Sequence, residues 1–234
     1  MQEIKIFMEY VFSSVKVQVN EKIYLKDPET SELGRKIIEQ SIVLIDELGF
    51  EQYTFKKLGE KIGSNESSIY RYFENKHKVL MYLTSWYWGW MGYKLAFDTN
   101  NIISPKEKLA IGIEIVTSPM MLGISQDFIN SEKLFNIVIS EFSKSYLTKM
   151  VDQENQEGYF LVYKQIIQKV VKLVENYNPK YPYAVSLIST VIDGALHQHF
   201  LRSHFKTITN CSQDFLPSDF YKDLVFRVLN NTDN

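Results

Sequence analysis

The fold is decided by the stretch TFKKLGEKIGSNESSIYRYF, which runs from Thr54 to Phe73. Its apolar residues recur at helical spacing in two short runs, and Gly63 stands at the turn between them. Thr54 and Asn65 have side chains that commonly cap helices, and each stands just before one of the runs. The pattern therefore predicts two short helices joined by a tight turn. The apolar residues that would pack between these helices are Phe55, Leu58, Ile62, Ile69 and Phe73.

Helical spacing continues on both sides of this stretch. Upstream, Asp27 and Pro28 have the form of an N-cap followed by proline at the first helical position, and Gly49 ends the predicted helix. Downstream, Asn75 can cap a fourth helix that nothing interrupts from Lys76 to about residue 97. Breakers separate five further helices, predicted at about residues 104–118, 128–149, 156–177, 182–204 and 217–230. The predicted fold is all-α, a three-helix N-terminal domain joined by a long fourth helix to a C-terminal helical bundle.

Composition and charge narrow the functional classes. The chain has 234 residues, of which 45% are hydrophobic and 23% charged, as in ordinary globular proteins. Only 10 Gly and 6 Pro leave little turn material for a β-sandwich or β-barrel. The single cysteine, Cys211, excludes an internal disulfide framework and a zinc site built mainly from cysteine.

The sequence also bears on membranes and targeting. The longest run without a charged residue covers fifteen residues, 79–93. A membrane-spanning helix needs roughly 20 apolar residues. The apolar residues near the N-terminus are not followed by a small-residue cleavage site, so they do not predict a secretory signal. We therefore expect a cytoplasmic protein with no membrane partner and no cofactor.

The first thirty residues differ from the rest of the chain. Val15, Val17 and Val19 alternate with polar residues, and a second short alternation begins at Ile23. This period of two predicts a short strand or hairpin. Because an isolated hairpin is marginally stable in water, a mobile tail is the alternative. Residues 1–30 are therefore interpreted as an N-terminal extension.

The helix-turn-helix stretch is locally basic. Between residues 54 and 80, six basic and three acidic residues give a net charge of +3, whereas the whole chain carries −2. Counted from residue 31 the local charge is zero, so charge alone does not identify a nucleic-acid site. The alternative is a chance spacing in a helical protein. The outward positions of the second short helix, which a DNA groove can receive, are Glu66, Ser67, Ser68, Tyr70 and Arg71.

Residues from about Leu33 to Leu83 resemble the N-terminal DNA-binding domain of TetR-family transcriptional repressors. The resemblance is carried by Ile37 to Phe50, by Thr54 and by Gly63. It is carried above all by IYRYFENK, residues 69–76, which leads into the long fourth helix. The rest of the chain resembles that family only in the number and length of its helices.

The resemblance implies a DNA-binding domain over residues 31–78 and an effector-binding and dimerisation domain over residues 79–234. It also implies that Thr54 and Lys76 contact phosphates of a double-stranded operator. Glu66 departs from the family pattern, and its carboxylate either accepts a hydrogen from a cytosine amino group or weakens non-specific binding. The predicted DNA-binding residues are Thr54, Lys56, Lys57, Asn65, Glu66, Ser67, Ser68, Tyr70, Arg71, Tyr72 and Lys76.

Aromatic residues are unusually frequent, with 15 Phe, 15 Tyr and 3 Trp. Many lie on the predicted fourth helix, where burial in a core is the plain interpretation. The other interpretation is a cavity for an apolar or aromatic small molecule, which in the resembling family lies between the fourth and seventh helices. The predicted pocket residues are Tyr82, Trp86, Trp90, Tyr93, Met120, Met121, Phe128, Phe142, Tyr146 and Tyr163.

The last two predicted helices correspond to the dimer interface of the resembling family, where two long helices from each chain form a four-helix bundle. A homodimer also suits an operator with two half-sites. The histidines of this region, His197, His199 and His204, lack the spacing of a metal site, and no metal is expected. The predicted interface residues are Leu187, Val191, Gly194, Ala195, Phe220 and Leu224.

The sequence thus predicts a homodimeric DNA-binding transcriptional regulator, a repressor whose operator binding is modulated by a hydrophobic small molecule. An enzyme is not predicted, since its best reactive pair, Asp193 and His197, has no phosphate loop or serine elbow beside it. The alternative is a ligand-independent helical interaction protein that has lost specific DNA binding. Lys56, Tyr70 and Lys76 argue against that alternative, because a protein that no longer binds DNA has no need of phosphate-facing side chains.

Overall fold

The computed structural model of the protein describes residues 16–119 and 128–231. Regular structure within these ranges is entirely helical, which confirms the predicted all-α fold. The α-helices are α1 (Glu32–Leu48), α2 (Phe55–Ile62), α3 (Glu66–Tyr70), α4 (Lys76–Thr99), α5 (Pro105–Thr117), α6 (Ser131–Tyr146), α7 (Val151–Gln156), α8 (Leu161–Tyr177), α9 (Ala184–His204) and α10 (Pro217–Asn230). Single 3₁₀ turns lie at Glu21–Ile23, Pro28–Thr30 and Lys206–Ile208. No helix in the described ranges has the length and apolar character that crossing a membrane requires.

The described chain forms two compact units. The first comprises residues 16–89 and 128–161, and the second comprises residues 90–119 and 162–231. Helix α4 therefore begins in the first unit, while its residues from Trp90 onwards belong to the second. These two units are defined by contacts within the fold. The predicted boundary after residue 78 instead divides the chain by function, into a DNA-binding and a ligand-binding domain, and it stays a prediction.

Helix α1 begins four residues later than predicted. Asp27 does act as a cap, since its Oδ1 accepts the Glu29 N–H at 2.9 Å, but the helix it caps is a single 3₁₀ turn. Ser31 then adopts an extended conformation, and its Oγ accepts the Gly34 N–H at 3.1 Å to start α1. The predicted start at Pro28 is wrong because two caps follow each other closely and the second one begins the long helix.

The described part of the N-terminal extension, residues 16–30, forms neither a strand nor a hairpin. Its polar groups bind other elements of the first unit: the Leu25 N–H donates to the Tyr72 carbonyl at 2.8 Å, and Asn20 Nδ2 donates to the Glu157 carbonyl at 3.0 Å. These contacts replace the neighbouring strand that a hairpin would supply. Its buried apolar side chains are Val17, Val19 and Ile23, while residues 1–15 lie outside the described part of the chain.

A buried hydroxyl pair closes the core of the three-helix domain. The Ser41 hydroxyl donates to the Ile37 carbonyl at 2.6 Å and lies 2.8 Å from the Tyr53 hydroxyl. Because the single Ser41 hydrogen is used on Ile37, Tyr53 must donate to Ser41. Burial raises the pKa of Tyr53, so this hydroxyl keeps its proton at any ordinary pH.

Aromatic side chains make up much of the remaining core of the first unit. Their rings pack edge-on or offset, the arrangements that the ring quadrupole favours. Most of these rings are fully buried, which supports the plain interpretation of the aromatic residues on α4 as core. The pairs are Phe73 with Tyr82 at 5.6 Å between centroids, Tyr87 with Phe135 at 6.2 Å and Trp88 with Phe142 at 5.5 Å.

In the second unit, His199 on α9 is buried against the end of α5. Its Nε2 lies 2.8 Å from the Thr117 carbonyl oxygen, so the ring must carry its hydrogen on Nε2. Burial lowers the pKa of His199 from its ordinary value of 6.5, because the charged imidazolium is poorly solvated there.

We expect this histidine to make stability depend on pH. Its pKa is lower in the folded than in the unfolded state, so the unfolded state binds more protons below about pH 6.5 and stability falls as the pH drops. His199→Gln keeps an N–H donor and removes the titration. Urea unfolding at pH 5, 6 and 7 should therefore show a smaller pH slope for His199→Gln, by up to about 1.4 kcal/mol per pH unit.

His204→Gln is the matched control, because His204 is exposed at the end of the same helix. An unchanged pH slope in His199→Gln would contradict the assignment of a neutral buried imidazole.

Candidate nucleic-acid interface

The two short helices of the helix-turn-helix are capped as the sequence predicts. Thr54 Oγ1 accepts the Lys57 N–H at 3.2 Å and starts α2, which Gly63 ends in the left-handed conformation with φ of +67°. Asn65 Oδ1 accepts the Ser68 N–H at 2.9 Å and starts α3. The turn between the two helices is therefore held by side-chain and backbone hydrogen bonds at both ends.

The close approach of α2 and the turn depends on Gly59. A Cβ atom at this position would lie 2.7 Å from the Ser64 carbonyl oxygen, closer than real Cβ contacts allow. The Ser64 N–H also donates to the Gly59 carbonyl at 2.9 Å. Leu58 and Ile69 are fully buried at this junction, so α3 is fixed on α2 by its inner face.

The outer face of α2 and α3 carries most of the predicted DNA-binding residues. Ser68 and Lys76 are half-buried, and Tyr72 is buried. The exposed members of the predicted set are Thr54, Lys56, Lys57, Asn65, Glu66, Ser67, Tyr70 and Arg71. The structure thus leaves eight of the eleven predicted residues with exposed side chains, on or next to α2 and α3.

Tyr72 is a correction to the predicted set. Its side chain is 3% exposed, and its hydroxyl lies 2.7 Å from Ser31 Oγ, the cap of α1. A buried side chain that ties α3 to the start of α1 cannot reach a DNA groove. Tyr70, by contrast, is 48% exposed, with its ring packed edge-on against Phe55 at 4.9 Å between centroids.

Two predicted residues are engaged with each other. Asn65 Oδ1 accepts hydrogen bonds from both the backbone N–H and the hydroxyl of Ser68, at 2.9 and 2.8 Å. Ser68 therefore spends its only hydroxyl hydrogen inside the protein. The pair shapes the start of α3 and leaves other side chains to meet bases.

Lys76 holds the loop between α1 and α2 from the side of α4. Its Nζ donates to the carbonyls of Phe50 and Glu51, both at 3.0 Å, and lies 4.8 Å from the centre of the Phe50 ring. The sequence predicts a phosphate contact for Lys76. The structure shows that the ammonium group already has protein partners, which orient the loop that leads to Thr54.

Helix α6 holds the same loop from the other side, through residues that sequence reasoning missed. Glu141 Oε1 accepts the Phe50 N–H at 3.2 Å, and Lys144 Nζ lies 2.7 Å from Glu141 Oε2 and 3.4 Å from the Glu51 carboxylate. The sequence gives one signal that Glu141 binds the loop: it is an acidic residue within the apolar face of α6. Its partners come from another part of the chain, so the sequence could not name them.

We expect Lys76→Met to destabilise the protein by about 1–2 kcal/mol, because the apolar stem stays over Phe50 while two charged hydrogen bonds are lost. Urea unfolding monitored by tryptophan fluorescence measures this difference. Lys61→Met, which changes an exposed lysine on α2, serves as the control and should have little effect. Equal stability of the two variants would show that the ammonium group does not hold the loop.

The predicted pocket residues are divided between the two compact units, and most are packed as core. Tyr82, Trp86 and Phe142 are buried in the first unit, where the Tyr82 hydroxyl donates to Glu29 Oε1 at 2.9 Å. Phe128 and Tyr146 are half-buried in the same unit. In the second unit Trp90 is buried, Tyr93 is 39% exposed and Tyr163 donates to Asp193 Oδ1 at 3.0 Å. Met120 and Met121 lie outside the described residues.

The predicted dimer residues fall into two groups. Val191 and Ala195 are buried inside the second unit, and Gly194 provides the space for the Tyr221 hydroxyl of α10. Gly194 therefore lies against α10 of the same chain, and the buried side chains of Val191 and Ala195 are not available to a partner as predicted. Leu187 and Leu224 are half-buried, and Phe220 is 48% exposed.

An open groove of about 820 Å³ lies beside Phe220 in the second unit. It is formed by the end of α9, the 3₁₀ turn that follows and the start of α10. None of the predicted pocket residues lines it. The exposed apolar side chains that line the groove are Ile208, Phe215, Leu216 and Phe220. These four residues and the exposed Phe205 are here called the C-terminal apolar face.

The residue pair considered for an enzyme does not form in the structure. Asp193 accepts the Tyr163 hydroxyl, and burial raises its pKa. The His197 ring lies parallel to the Phe200 ring at 6.4 Å between centroids. Among the described residues, no cluster of three His, Cys, Asp or Glu side chains is arranged to hold a metal ion.

Comparison with known proteins agrees with this geometry. Residues 37–83 match the family model described as bacterial regulatory proteins, tetR family. No curated protein matches the chain in sequence.

Solved structures share the fold at low sequence identity. The fatty acid degradation regulator FadR from Bacillus halodurans is 17% identical with a TM-score of 0.58, over 85% of this chain and 95% of that chain. The superantigen PfiT is 17% identical with a TM-score of 0.59, over 88% and 100%. A transcriptional regulator from Saccharomonospora viridis, solved in complex with choline, is 14% identical with a TM-score of 0.58, over 85% and 95%.

An outward recognition helix on a capped helix-turn-helix, followed by a long fourth helix, defines a DNA-binding domain of the helix-turn-helix class. The match to a family model narrows this class of DNA-binding domain to one family. Residues 37–83, which contain the helix-turn-helix, are similar to the N-terminal domain of the tetR family of bacterial regulatory proteins.

Proposed function

We propose that the protein is a homodimeric repressor that binds an operator through α2 and α3 and is tuned by an apolar small molecule. The observation that carries the proposal is the exposed face of α2 and α3 within the stretch that matches the TetR family. We place its action in the cytoplasm, where a bacterial regulator meets DNA.

The chemistry of the face supports DNA as the partner. Lys56, Lys57 and Arg71 are exposed and positive, and Thr54 lies at the start of α2, where backbone N–H groups favour a phosphate. Phosphate contacts supply most of the affinity of such proteins for DNA, while base contacts supply the sequence preference. Tyr70, packed on Phe55, presents a rigid hydroxyl at the edge of the same face.

We expect Lys56→Ala combined with Arg71→Ala to weaken binding to duplex DNA. Each lost phosphate contact should reduce the slope of log K against log salt by about 0.9, so the double variant should lose up to about 1.8. Fluorescence anisotropy with a labelled duplex of random sequence measures this change. The titrations cover salt concentrations from about 50 to about 200 mM.

Lys172→Ala combined with Lys180→Ala is the matched control, since it removes two exposed positive charges from α8 and the loop that follows it. If both double variants have the same slope, α2 and α3 are not the DNA-binding face. Lys76 is left intact here because it also holds the loop between α1 and α2.

The C-terminal apolar face supports a second copy of the chain as the other macromolecular partner. Phe205, Ile208, Phe215 and Phe220 are each about half exposed or more on one side of the second unit. Apolar patches of this kind mark interaction sites in soluble proteins. A homodimer would cover them and would present two reading helices to an operator with two half-sites.

We expect Phe220→Asp to convert a dimer into a monomer, because a buried unpaired carboxylate at an interface is strongly unfavourable. Sedimentation velocity measures the mass, and circular dichroism verifies that the variant is folded. Ile103→Asp is the control, since Ile103 is 96% exposed in the same unit but outside this face. A wild-type monomer would refute the dimer, and a dimeric Phe220→Asp would refute the face.

Regulation by an apolar small molecule rests on the aromatic side chains of α4 and α6 and on the family resemblance. One structure of similar fold was solved in complex with choline, which supports a small-molecule ligand for this chain. Tyr82 is one of the tyrosines of the predicted pocket, and its hydroxyl is bound to Glu29 of the N-terminal extension. A ligand that reaches Tyr82 must therefore compete with that carboxylate.

The alternative is a helical interaction protein without specific DNA binding. It shares the dimer and differs in its binding to DNA. A wild-type chain that forms dimers but binds duplex DNA no more tightly than the Lys56→Ala, Arg71→Ala variant would favour this alternative.

A further inference from the structure

The described contacts of α3 reduce the number of side chains that can read bases. Ser68 donates its hydroxyl hydrogen to Asn65, Tyr70 lies against Phe55, and Tyr72 is buried under α1. Glu66 and Ser67 are exposed, and neither side chain has a hydrogen bond or ion pair with another described residue. These two residues are therefore the side chains of the first turn of α3 that remain available to a base, and the exposed Tyr70 and Arg71 follow further along the chain.

Glu66 occupies the position from which a recognition helix reads. It is the first residue of α3, and in helix-turn-helix proteins the N-terminal residues of the second helix contact base edges in the major groove. The orientation of α3 is fixed by buried Ile69 and by the Asn65 cap, so the Glu66 side chain is directed outward by structure that does not depend on it.

The chemistry of a carboxylate restricts the base that it can accept. Ionised Glu accepts hydrogen bonds and donates none. In the major groove, cytosine offers the N4 amino group as a donor, whereas adenine offers its N6 amino group beside the N7 acceptor, which repels a carboxylate. Guanine and thymine present only acceptors on that edge, apart from the thymine methyl group.

We propose that the Glu66 carboxylate accepts a hydrogen bond from the N4 amino group of a cytosine, at one position in each half-site of the operator. The inference rests on the proposed DNA-binding function and names the base that this site selects. The same negative charge repels phosphates, so Glu66 weakens binding to unrelated DNA while it strengthens binding to the operator. The two roles considered for Glu66 at the level of sequence are thus two effects of one side chain.

The test is a selection of bound duplexes from a random pool, carried out with the wild type, Glu66→Gln and Glu66→Ala. We expect the wild type to enrich a two-fold motif with a fixed C·G pair in each half. Gln matches adenine through N6 and N7, so Glu66→Gln should change that pair to A·T and keep the other positions. Glu66→Ala should lose discrimination at that pair alone, by about tenfold or more in relative affinity.

Glu60→Gln is the matched control, because it removes an exposed acid from α2 and should raise non-specific affinity without changing the motif. An enriched wild-type motif that Glu66→Gln leaves unchanged would overturn the inference and leave the DNA-binding function intact. Enrichment of no motif by the wild type would overturn the proposed function, and the inference with it.

Discussion

The placement of α3 against α2 depends on one steric constraint, the absence of a side chain at Gly59. The Ser64 carbonyl oxygen lies 2.7 Å from where a Cβ of residue 59 would stand, so only glycine lets the chain turn tightly enough to place α3 against α2. Helix α3 has only five residues and is too short to be stable alone. It is held by its Asn65 cap and by Ile69, which is buried beneath it. The outward directions of Glu66 and Ser67 follow from that inner packing.

The loop between α1 and α2 extends the constraint to the rest of the first unit. Its carbonyls are bound by Lys76 of α4, and its Phe50 N–H is bound by Glu141 of α6. A displacement of α6 must carry the loop with it or leave a buried carboxylate without this donor, which is costly. The start of α2, with Thr54, lies directly after this loop. The position of Thr54, a predicted phosphate contact, is therefore linked to helices outside the three-helix domain.

The sequence predicts what is local and misses what depends on distant partners. Thr54 and Asn65 are identified as caps because a cap and the N–H that it accepts lie three residues apart. Tyr72 looks like a surface residue of α3, yet its role is set by Ser31, forty-one residues earlier.

The same reason explains the other corrections. Val191 and Ala195 have the small or apolar side chains of an interface, but they are buried within the second unit of the same chain. Alternation around Val17 predicts a strand, whereas the segment is bound by Tyr72 and Glu157 and has no need of a neighbouring strand. The helix-turn-helix was predictable in its elements and caps, and the contacts of Lys76 with Phe50 and Glu51 were not.

The small number of proposed base contacts on α3 bears on whether the protein acts as a dimer. In the proposed function the first turn of α3 offers Glu66 and Ser67 to bases, and one good base contact is worth about 1–3 kcal/mol of discrimination. Specific binding usually exceeds non-specific binding by about 4–10 kcal/mol. One copy of α3 therefore falls short of, or barely reaches, the discrimination that an operator requires, and two copies bring it into range. The proposed dimer is therefore supported by the small number of proposed base contacts as well as by the apolar face around Phe220.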